Sequence, residues 1–145
     1  MKPRGSKVEY EKERNNELME AFHKLIDSAA CICMDKIYND VVDMPASRFF
    51  VSEERAAIVI SSIMRGNKLM NMRPTKREMF FEIYRRAMLI RKQHPERTVF
   101  DLAFEVVRQH APKFYMEPGY ARRIIFQEKK KWYEERRKKL RHLFY

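Results

Sequence analysis

Apolar residues recur every three or four positions over most of this chain, and strict alternation is nowhere sustained. That period marks helices with one buried face. Leu18, Met19, Phe22, Leu25, Ile26, Ala29 and Ala30 predict a first helix from Glu11 to about Met34. Ile37, Tyr38, Val41 and Val42 predict a second from Asp35 to Asp43. Met44-Pro45-Ala46-Ser47 breaks it, because the residue before a proline avoids the helical region. Arg48-Phe49-Phe50-Val51 is too short to be a strand of its own and reads as a connector that lays aromatic rings into the core. Ser52 is a good N-cap, and Glu53 and Glu54 suit the positive end of the helix dipole. The helix they open should run to about Arg65 and stop at Gly66-Asn67.

After a short polar linker, Asn67 to Arg73, Thr75 and Glu78 form a capping-box pattern before a helix from Lys76 to about Gln93. Thr98 and Asp101 form another, opening a helix from Val99 to His110. Pro118 suits the first turn of a last helix reaching about His142. About 25 residues at 1.5 Å each give roughly 37 Å, longer than a small core. Its distal part, Gln127 to His142, should project or lie along a surface.

Ile37 to Ile60 lies over Leu102 to Ile125 without a gap, at an offset of 65. Val41, Val42, Ala46, Phe49, Ala56 and Ile60 recur as Val106, Val107, Ala111, Phe114, Ala121 and Ile125. Six identities in 24 positions are few, but the changes around them keep size and polarity: Asp40 to Glu105, Arg48 to Lys113, Phe50 to Tyr115, Val59 to Ile124. The expected fold is all-α, two tandem three-helix units related by internal duplication and ending in a long basic helix. Residues 1–16 should be a basic, flexible start, 17–66 a first unit that docks, and 74–145 a second unit that binds.

Composition fits that reading. The chain has 145 residues, 45% of them hydrophobic, with only 3 Gly and 6 Pro, too few for a turn-rich β protein. No apolar run approaches the roughly 20 residues of a membrane span, and no long apolar stretch follows the basic N-terminus as a secretory signal requires. Cys31 and Cys33 are too close in sequence for an unstrained disulfide. Free thiols point to a reducing, cytoplasmic setting.

The net charge is +11, unevenly spread. Residues 65–97 carry ten basic and three acidic residues, as do residues 122–145, so each block is +7, while residues 17–64 are at −4. Such asymmetry suits a polyanionic partner, nucleic acid before membrane. In the last helix Arg122, Arg123, Lys129, Lys130, Lys131, Arg136 and Arg137 gather around Trp132 and Tyr133, with Lys138, Lys139 and Arg141 beyond. Side chains of this kind neutralise phosphates and release counterions. Intrahelical pairs such as Glu134–Lys138 and Glu135–Lys139 would offset only part of that charge. Trp132 reads as a packing anchor rather than a base-stacking platform. Lys76, Arg77, Arg85, Arg86 and Lys113 form the second candidate set, able to extend the basic surface.

The helix, connector and helix from Val99 onward loosely resemble a helix-turn-helix DNA-binding motif, over about 30 residues. The resemblance implies a supporting helix Val99–His110 and a recognition helix from Glu117, with Arg122 and Arg123 in its first turns. The connector departs from the pattern, with a proline and two aromatics where a short glycine turn is usual.

Catalytic signatures are weak. Cys31-x-Cys33 lacks the spacing of a zinc site, and no phosphate-binding glycine loop or nucleophile elbow occurs. His94, Arg97 and Tyr145 resemble residues of tyrosine recombinases, but the chain is too short for that catalytic domain. His23 and His110 should be partly packed helix residues. The expectation is a non-enzymatic nucleic-acid-binding protein, DNA favoured, with no cofactor or metal. Helix 52–64 is a candidate self-association face. The alternative is an assembly or interaction protein, such as a mobile-element or virion component, whose basic helix meets an acidic partner.

Overall fold

The computed structural model describes the backbone of residues 5–144 and side chains from Tyr10 to Leu143. Those residues form α1 (Gly5–Ser28), α2 (Met34–Val41), α3 (Glu53–Met64), α4 (Pro74–Gln93), α5 (Val99–Val107) and α6 (Pro118–Phe144), with no strand among them. None of the described helices is long and apolar enough to cross a membrane.

Local chemistry explains most boundaries. The Ser52 hydroxyl accepts from the Arg55 N–H at 3.2 Å, and the Thr98 hydroxyl from the Asp101 N–H at 3.2 Å, so each cap satisfies a free donor. α3 ends in a Schellman motif: Gly66 N–H donates to Ile63 O at 2.9 Å and Asn67 N–H to Ser62 O at 3.1 Å. Gly66 takes φ 98°, which glycine adopts without penalty.

Two helices differ most from the sequence reading. α1 begins at Gly5, so residues 5–16 of the expected flexible start are helical, and residues 1–4 lie outside the described residues. It ends at Ser28, because the chain must turn through 29–33 to lay α2 back against α1. α4 starts at Pro74 with Arg73 as an N-cap lacking a side-chain bond, so Thr75 is inside the helix and its capping box does not form.

The packing does not follow the halves of the chain. α3 packs on α4 and α5, α6 packs on α1 and α2, and no packing contact among the described residues joins α2 to α3 or α5 to α6. The two three-helix groups in space are therefore α1, α2, α6 and α3, α4, α5, each borrowing one helix from across the connectors. Ala56, Val59 and Ile60 of α3 are buried in this packing, while Ile58 and Met64 of the same helix, 59% and 40% exposed, stay at the surface.

The two connectors clasp at the centre. Ala46 and Ala111 exchange two backbone hydrogen bonds of 3.0 Å. Phe49 N–H donates to Val107 O at 3.0 Å, and Phe114 N–H to Val42 O at 3.0 Å. Phe49 stacks on Tyr115 with centroids 5.9 Å apart, and Phe114 on Phe50 at 6.3 Å. Moving every residue in these contacts by 65 positions, forward in one connector and backward in the other, turns each contact into its counterpart. α5 and α6 begin 65 residues after α2 and α3, and α4 ends 65 after α1. Phe49, Ala46, Ala111 and Phe114 are each at most 5% exposed, so these contacts lie within one continuous core.

Candidate nucleic-acid interface

α6 owes its shape to a change of residue type part way along. Ala121, Ile124 and Ile125 are buried against α1 and α2, fixing its first turns. Beyond Lys129 the apolar face thins out, and every residue from Lys130 to Leu143 is exposed, so the distal half stands clear of the core as its length requires.

At 100° per residue, Arg123, Lys130, Arg137 and Arg141 share one side of this helix, with Lys138 beside them. All five are exposed, and none has an ion-pair partner among the described residues. The expected Glu134–Lys138 and Glu135–Lys139 pairs do not form there either. Lys131 has a long contact with Glu128, 3.5 Å. Unpaired and solvated, these cations keep their charge available to an incoming anion.

The other candidate residues are more committed. Arg122 lies over the rings of Phe126 and Tyr38, at 5.3 and 6.0 Å. Lys129 lies 4.6 Å over the Phe22 ring, tying α6 to α1. Lys113 pairs with Glu78 at 2.5 Å and lies 5.6 Å from the Tyr115 centroid. Arg85 binds both oxygens of Glu82, at 3.1 and 2.7 Å. Arg86 also binds Glu82, donates to His110 O at 2.7 Å and covers the Phe49 ring at 5.0 Å. Arg86 therefore holds the central clasp from α4. Hydrogen bonding from Arg85 in turn holds the Glu82 carboxyl below the usual carboxylate range. Glu17, 65 positions before Glu82, braces the opposite connector directly, accepting from Ser47 N–H at 2.8 Å and its hydroxyl at 2.5 Å.

Lys76 is exposed, and the guanidinium of half-buried Arg77 rests 3.9 Å from the Met70 sulfur. α4 and α6 share no packing contact, so the two basic blocks occupy separate helices. His23 and His110 are both exposed rather than packed.

Two features went unread in the sequence. Trp132 is 52% exposed, not a packing anchor, because it lies on the part of α6 beyond the core. The helix length that predicts projection was the signal that would have shown this. Trp132 also lines an open crevice between α1 and α6, with Asn16 and Met19 on the α1 side. The other feature is Tyr115. Burial, with Glu82 and Glu78 nearby, pushes its hydroxyl up to about 12 from 10.0. A raised tyrosine pKa means the fold prefers the neutral phenol, so its contribution is complete below pH 10 and is lost as pH rises toward about 12. Tyr115→Phe should remove this part of the alkaline loss of stability, which urea unfolding across that window would measure.

No protein-family model matches this chain, and no curated protein or solved structure matches it either.

Proposed function

We propose that this chain is a non-enzymatic nucleic-acid-binding protein that grips phosphates with the distal half of α6. The observation that carries the proposal is the strip formed by Arg123, Lys130, Arg137, Lys138 and Arg141, all exposed and without ion-pair partners among the described residues. Lys and Arg so placed gain most from displacing counterions on a polyanion. Five phosphate contacts would give log affinity against log salt a slope of about −4 to −5 on duplex DNA. Titration of a labelled duplex, followed by anisotropy across a salt series, tests this.

The helix-turn-helix resemblance gives way to a simpler device. α5 and α6 do not pack together, so α5 is not a supporting helix for α6. Binding through the phosphate strip needs no such partner and carries no base-sequence preference of its own.

We also infer that the two halves arose by internal duplication, supported by the aligned residues, the helix boundaries 65 apart and the interchangeable contacts of the clasp. On this reading α3 and α6 are equivalent helices with divided labour. α3 stops at Gly66 and stays with the core, while α6 continues into solvent and binds.

A second reading keeps the same helix but gives it an acidic protein partner. Leu140 and Leu143, 46% and 77% exposed, favour it, since phosphate binding has no use for them. Failure to bind DNA at low salt would turn attention there.

A further inference from the structure

α6 has a second side, chemically unlike the phosphate strip. Trp132 and its neighbour Tyr133 are 52% and 57% exposed there. The indole and phenol rings meet edge to face, centroids 5.1 Å apart. The Arg136 guanidinium lies 5.1 Å from the Trp132 centroid. Helical spacing places Lys129, Arg136 and Lys139 three positions before, four after and seven after Trp132, so cations border the indole along the helix.

The crevice beside Trp132 combines charged and apolar walls. Glu11, Glu128 and Glu135 line it together with Lys12, Lys129 and Lys131, so its charges balance and a strand backbone can meet a lysine at its wall. Met19, Trp132 and Tyr133 line it as well and offer an apolar surface to a flat, uncharged ring. A nucleobase fits that description, while its phosphate can meet Lys129 at the crevice wall or Arg136 beside it. Duplex DNA cannot present a base this way without unstacking it, whereas a single strand can.

We propose, resting on the nucleic-acid reading above, that the preferred ligand is a strand with unpaired bases, one of which stacks on Trp132. Arg136 covers the indole from its own side, a cation–π contact that supports the stack. Duplexes still bind, through the strip on the opposite side, but more weakly.

The chain has one tryptophan, so its fluorescence reports on this site alone. The test titrates the full chain with a labelled mixed-sequence single strand, and with the duplex it forms with its complement, at matched salt. The expected result is tighter binding of the single strand with quenching of Trp132. Trp132→Ala should lose roughly 5- to 150-fold in single-strand affinity and leave duplex affinity within about twofold, while Trp132→Phe recovers part of the loss. Circular dichroism checks that the helix survives each change. Equal affinity for the two ligands with unchanged fluorescence would overturn the stacking proposal and leave phosphate binding standing. So would an equal loss for both ligands in Trp132→Ala. Binding to neither at low salt would overturn this proposal and the functional reading beneath it.

Discussion

Phe49→Ala should destabilise the fold by about 3–5 kcal/mol, the range for truncating a fully buried phenylalanine. The ring is 1% exposed, stacks on Tyr115 and lies under the Arg86 guanidinium. Removing it opens a cavity where both connectors and α4 meet. Phe114→Ala should cost nearly as much, since Phe114 is 5% exposed and stacks on Phe50 in the matching place. A domain of this size has about 5–15 kcal/mol in total, so either change takes a large share. The two losses should not add, because both residues belong to one clasp. Urea denaturation of both single variants and the double variant would measure this. A cost below about 1 kcal/mol for Phe49→Ala would mean that the connectors are not the centre of the core.

Removal of residues 130–145 should have the opposite profile. It takes away seven basic and two acidic residues, lowering the net charge from +11 to +6. Residues 130–143 are all exposed, so little packing goes with them and stability should change by no more than about 1 kcal/mol. Affinity for nucleic acid at low salt should fall about 100-fold or more, because four of the five unpaired strip cations are gone. Thermal melts beside binding titrations would separate the two effects. A large drop in melting temperature would show that the distal helix also braces α1 across the crevice.

The legible parts of this protein were those set by short-range chemistry. Ser52 and Thr98 cap their helices as read, Gly66 ends α3, and Pro118 opens α6, since each acts within a turn of its own position. The connector that carries Phe49 into the core was legible because an aromatic pair after a proline break has few other uses. The partner of each helix was not legible. Periodicity shows that α3 and α6 have buried faces but not that each packs across the clasp, because that choice depends on the shape of the whole connector. The same limit applied to charge. Arg86 and Lys113 counted as free cations in sequence, yet Glu82, His110 O and Glu78 reach them from distant positions. Leu69 is a further case. The linker looked polar, but Asn67 bonds the Leu69 N–H at 2.8 Å and the backbone turns at φ 55°, with the leucine side chain 4% exposed.

The most direct test of the central claim is the salt dependence of duplex DNA affinity for the full chain and for Arg123→Glu/Lys130→Glu/Arg137→Glu. Phosphate binding by α6 predicts a slope of about −4 to −5 for the full chain, reduced to about −2 or less in the variant, together with a large loss of affinity. The same affinity and slope in both proteins would contradict it.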